Sequence, residues 1–120
     1  MTADWGDPAA QLAQFAALRE RGERVKAELA AAEATASDGT GAVTVTVGAG
    51  GVMRSVQFAE SARKLPMDKL SSQLMKAYLQ ACRAAAEQSV AIMSELVGPD
   101  SPSLQLMRDA IPPDPDEEDR

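Results

Sequence analysis

The sequence predicts an α+β fold in which two long helices bracket a small antiparallel sheet. Three observations predict it. Val43, Val45 and Val47 alternate with Thr44 and Thr46; the glycine-rich run Gly48-Ala49-Gly50-Gly51 follows; and apolar residues recur every three or four positions on both sides of that block. The alternation is the period-2 signature of a half-buried strand, and the glycines can take the positive φ angles of a tight reversal. Val52, Val56 and Phe58 then resume a strand pattern. A sheet of two or three strands cannot bury its apolar face alone, so helices or a second copy of the chain must cover it. The expected assembly is a dimer.

Residues 1–7 are expected to form a disordered leader whose one large apolar residue is Trp5. A helix then runs from about Pro8 to Glu33, with Pro8 at its first position after Asp7 as the possible N-cap. Leu12, Phe15, Leu18, Gly22, Val25, Leu29 and Ala32 make one apolar seam along it. Gly22 admits two readings: a local flaw costing ~1 kcal/mol, or a close helix–helix crossing. Ala34–Ser37 can form a short first strand before the turn residues Asp38-Gly39-Thr40-Gly41, and the hairpin 42–58 follows. Glu60–Lys64 reads as a loop closed by Pro66.

A second helix is expected from about Met67 to Leu96, striped by Leu70, Leu74, Tyr78, Ala81 or Cys82, Ala85, Ser89, Ile92 and Leu96. Asp68 in its first turn suits the helix dipole. Thirty residues at ~1.5 Å each span ~45 Å, so this helix is expected to project from the sheet or cross a dimer interface. Ser101-Pro102 signals a short helix near 103–110. The acidic, proline-broken end PPDPDEEDR reads as disordered. The division is therefore a leader (1–7), an α+β domain (8–97) and an acidic tail (98–120).

Composition narrows the chemistry. The 120 residues are 45% apolar but only 3% aromatic, and much of the apolar share is alanine, which buries little area. There is no histidine and one cysteine, Cys82, which excludes a His-based triad, a Cys/His metal cluster and an intrachain disulfide. Glu20, Glu23, Glu87 and Glu95 lie among basic residues on exposed helix faces, as in the i,i+4 pair Glu20–Arg24. The GAGG run precedes a strand instead of opening a helix and lacks the Lys-Ser/Thr of a phosphate loop. The protein reads as a non-enzyme with no cofactor and no metal. It has no 18-residue apolar run and no signal-like N-terminus, so the expectation is a cytoplasmic protein without a membrane partner.

The net charge is −6, but its distribution is uneven. Residues 8–96 carry ten basic and nine acidic side chains, whereas residues 97–120 carry seven acids against two arginines. Arg19, Arg21, Arg24 and Lys26 cluster in the first helix, Arg63, Lys64 and Lys69 flank the entry to the second, and Arg54 sits in the hairpin. Doubled in a dimer, such groups can neutralise phosphates, the sequence-independent source of DNA affinity.

The block T-x-S-D-G-x-G-A-V-x-V-T-V, the following G-x-x-x-V-x-F strand and the flanking helices resemble the YbaB/EbfC family of small bacterial nucleoid-associated DNA-binding proteins. The resemblance covers roughly Ala10–Leu96 and is most specific at Thr35, Ser37, Gly39, Gly41, Val43, Val45, Val47, Gly51, Val56 and Phe58. It implies an α-β-β-β-α arrangement with a three-stranded antiparallel sheet, joined to a second copy in a homodimer with projecting helices. It also implies low-specificity binding of the duplex DNA backbone, in chromosome organisation or gene regulation. Mapped on this chain, Arg19, Arg21, Arg24, Lys26, Lys64 and Lys69 become the candidate phosphate contacts. The near-neutral domain and the alanine- and arginine-rich first helix depart from the family pattern. They leave open a second function: a protein-interaction adaptor of a secretion or stress pathway that has lost DNA binding. Such an adaptor would dock through Leu104, Leu106, Met107 and Ile111 and the acidic tail.

Overall fold

The computed structural model describes residues 8–118, so the leader expected at 1–7 lies outside the described residues. The order is α1 (Pro8–Ala31), β1 (Ala34–Ser37), β2 (Val43–Val47), β3 (Met53–Phe58), α2 (Met67–Val97), α3 (Pro102–Asp109) and α4 (Pro115–Glu118). Short 3-10 turns occupy Ala49–Gly51 and Glu60–Lys64. The second of these replaces the irregular loop expected there, and it buries Ala62 in the core.

The three strands pair antiparallel in the order β1-β2-β3. β2 is central and packs Val43, Val45 and Val47 inward at 0% exposure, while Thr44 and Thr46 face the other side. Its register sets Ala36 against Val45 on one edge and Val56 against Val45 on the other. The ladder shifts between Thr46 and Val47, where Ser55 and then Met53 are the partners and Arg54 is the extra residue of a bulge. The GAGG turn reverses the chain as its composition requires: Gly50 and Gly51 both have positive φ, and the Gly48 amide bonds the Val52 carbonyl at 2.8 Å.

α2 lies across β1 and β2 and closes the core with Ala77 and Ala81, flanked by Leu70, Leu74, Tyr78 and Cys82. Alanine at the contact lets helix and sheet approach closely, so the core is thin and rests on valine methyls. β3 extends past the helix. Phe58, paired with Val43, remains 53% exposed, and Val52 and Met53 are also open.

The projecting element is α1, not α2. The second half of α1 packs against α2 and the 49–51 turn, and Val25 is its one buried residue. The large apolar residues of the first half are open: Leu12, Phe15 and Leu18 are 69%, 71% and 56% exposed. This arm gives extents of 78 × 27 × 15 Å and a radius of gyration of 20.5 Å, against ~14 Å for a compact chain of this length. A Cβ added at Gly22 meets nothing within 4 Å, so no helix of the same chain crosses there.

The C-terminal region also departs from expectation. Leu104 of α3 is fully buried, and α3 packs on α2. Leu104 therefore serves the chain's own fold and is withdrawn from any docking face; Leu106 alone of the four remains widely exposed, at 72%. The acidic end, expected to be disordered, forms α4 and contacts α2, with Pro115 buried.

Candidate nucleic-acid interface

The turn 38–41 is the most tightly bonded part of the chain, and its role is architectural. Asp38 is only 6% exposed. Its Oδ1 accepts hydrogen bonds from the Thr40 amide (3.2 Å), the Gly41 amide (3.1 Å) and the Ser37 hydroxyl (3.2 Å), and its Oδ2 from the Thr40 hydroxyl (2.7 Å). Burial pushes the Asp38 pKa up, but bonds from the Thr40 hydroxyl, neighbouring amides and Ser37 outweigh it and hold the carboxyl below its ordinary 3.8. Gly39 and Gly41 have φ of 99° and 84°, which β-carbon-bearing residues resist. The S-D-G-x-G motif thus fixes the β1–β2 connection. It offers no spare donor to a ligand.

The basic side chains are spread over three places. Arg19, Arg21, Arg24 and Lys26 all lie exposed on α1. At ~100° per residue they spread around the helix: Arg19 and Lys26 lie on one flank of the apolar seam, Arg21 lies on the other, and Arg24 is turned away from it. The open face of the first half of α1 is an apolar strip of Leu12, Phe15 and Leu18, and the cations follow it along the axis at residues 19–26. Lys64 ends the second 3-10 turn and Lys69 sits in the first turn of α2, on either side of Pro66, both exposed. The structure does not gather all six into one patch. Arg63 pairs with Glu60 at 3.6 Å and Arg54 with Glu33 at 3.7 Å, so each carries a local counter-charge.

Two cations escaped sequence reasoning. Lys76 and Arg83 follow Lys69 at intervals of seven, which places the three on one stripe of α2, with Gln73 and Gln80 between them. The seven-residue spacing was the available signal; it was hidden because each residue, read singly, looks like a solubilising charge.

On the opposite margin of α2, Tyr78 donates to the Gly51 carbonyl at 2.9 Å and ties the hairpin turn to the helix. Its hydrogen bond with the neighbouring Cys82 thiol, that group's charge and burial raise the phenol's pKa above 10.0. An apolar groove of ≈ 410 Å³ opens between Tyr78, Cys82, Val90 and Met107. Among the described residues no group of three or more Cys, Asp or Glu side chains is placed to hold a metal. No described helix is long and apolar enough to cross a membrane.

A three-stranded sheet covered by one helix, with a second helix that projects and carries a basic cluster at residues 19–26, defines a small helix-armed α+β protein. The chain belongs to the YbaB/EbfC DNA-binding family, whose match spans residues 5–99. Comparison with curated proteins and with solved structures gave no significant match.

Proposed function

We propose that the protein acts as a homodimer that binds duplex DNA through its phosphate backbone, without sequence preference, in chromosome organisation or gene regulation. In this reading it resides in the cytoplasm on the nucleoid, residues 8–97 form the binding unit, and residues 98–120 are an acidic appendage. No catalysis is required of it, in keeping with its DNA-binding family. The observation that carries the reading is α1: an apolar strip more than half exposed, followed along the helix by the exposed cluster Arg19, Arg21, Arg24 and Lys26, in a chain of that family. The strip and the overhanging apolar side of β3 call for a cover that the described residues of one chain do not supply. A second copy supplies it and doubles the cations, with Lys64 and Lys69 added at the base of α2.

The test combines light scattering with mobility shifts on several unrelated duplexes at low salt. Dimer mass, similar affinity for every duplex and a steep loss with added salt are the expected results. A chain that stays monomeric, or that shifts no duplex at low salt, overturns the proposal.

A further inference from the structure

The acidic end of the chain lies on the basic stripe of α2. Asp116 Oδ1 is 3.3 Å from Lys76 Nζ. Gln80 Nε2 donates to Asp114 Oδ1 at 2.8 Å and to Asp116 Oδ2 at 3.2 Å. Arg83 Nη1 donates to the Pro112 carbonyl at 2.8 Å, and its Nε faces Glu87 at 3.3 Å. The Lys76 and Arg83 side chains are only 31% and 34% exposed as a result. A proline-rich segment with buried Pro115 thus presents two carboxylates and a carbonyl to one lysine, one glutamine and one arginine in a row.

We propose that this stripe, Lys69, Lys76, Gln80 and Arg83, is a second phosphate-binding surface for DNA, and that residues 112–116 occupy it in place of the nucleic acid. The inference rests on the DNA-binding reading above. Three features favour a phosphate backbone as the other occupant. The donors that accept carboxylates here are those that accept phosphate oxygens. The stripe is straight, running ~21 Å from Lys69 to Arg83, the rise of about six base pairs. Lys69 extends it beyond the acidic segment, where DNA can first engage and then displace the carboxylates. The acidic end then sets the threshold for binding: DNA must displace the Asp116 carboxylate from Lys76 and the Pro112 carbonyl from Arg83.

The test is fluorescence anisotropy of a labelled duplex with full-length proteins across a salt series. Asp114→Asn/Asp116→Asn is compared with the unaltered chain and with Glu95→Gln/Asp100→Asn, which changes net charge equally but away from the stripe. The expected result is DNA binding about fivefold tighter for the Asp114/Asp116 variant than for the charge control, a size that one partly exposed ion pair and the hydrogen bonds from Gln80 to the two carboxylates support. Its salt dependence also steepens, because Lys76, freed of Asp116, meets phosphate. Adding Lys76→Gln/Arg83→Gln abolishes the gain. Equal affinity of the Asp114/Asp116 variant and the charge control overturns the inference while leaving DNA binding intact. So does a gain that survives loss of Lys76 and Arg83, or a stripe that takes a polyglutamate peptide and not DNA. If no variant binds DNA at low salt, the functional reading fails and this inference with it.

Discussion

The sheet–α2 half of the molecule and the free half of α1 both carry regular apolar patterns, yet they end in opposite states. Val43, Val45 and Val47 are completely buried, whereas Leu12, Phe15 and Leu18, a larger apolar load, stand more than half exposed. The valines are closed by neighbours distant in sequence: β1, β3 and the alanines of α2. Among the described residues, the first half of the α1 seam meets no such neighbour. Apolar periodicity therefore marks a face, and only its partner decides whether that face is core or interface.

Four measurements test this contrast. Val45→Ala is expected to have the largest effect, about 3 kcal/mol of lost stability from two deleted methyls and the cavity they leave. Urea unfolding should show that loss to the same extent at every protein concentration. A loss below about 1 kcal/mol would mean that the sheet core is not the structural centre.

Phe15→Ser comes next, with about 2 kcal/mol lost per copy, but only through association. The unaltered protein should melt higher as its concentration rises, and the variant should melt at one temperature with a monomer's scattering mass. Should the variant remain a dimer with unchanged melting, the arm is not the interface.

Asp38→Asn should cost about 1.5 kcal/mol at neutral pH, because the charge-assisted bonds from the Thr40 and Gly41 amides weaken. The folded pKa of Asp38 lies below its ordinary 3.8. Its contribution is therefore fully present above the unfolded-state value and is lost as pH falls through the folded one. Unfolding at pH 7 and pH 5 should separate the two proteins equally, and the gap should shrink at pH 3. A gap that is constant down to pH 3 would assign the effect to shape and not to charge.

The smallest effect is expected at Gly22. Within one chain the site is open, so Gly22→Ala should raise helix stability by about 1 kcal/mol. If the partner's helix crosses there, the same change instead weakens the dimer, and melting at low and high concentration tells the two apart.

Much of the fold was legible because its signals are local. The alternation of Val43–Val47, the glycines at 50 and 51, the proline starting α3 and the long helical stripes act within about four residues of themselves. The S-D-G-x-G turn was legible as a family signature, although its meaning proved to be a carboxylate cradled by its own loop. The candidate site was less so. The cations of α1 could be named in advance, and the helical period spreads them around the helix instead of onto one face. Lys76 and Arg83 became visible as a site only once the acidic end was seen lying on them.

The residues taken alone were enough for the order of the two long helices, the strands and α3, for the alternation that buries one face of β2, for the family and for the uneven charge. The tertiary structure alone decided that α1 and not α2 projects, that Leu104 belongs to the core, that Phe58 overhangs the sheet, and that Asp114 and Asp116 return to α2. Each of those rests on contacts between residues tens of positions apart. Such pairings depend on which faces fit and which charges meet once the chain has folded, and no local pattern encodes them.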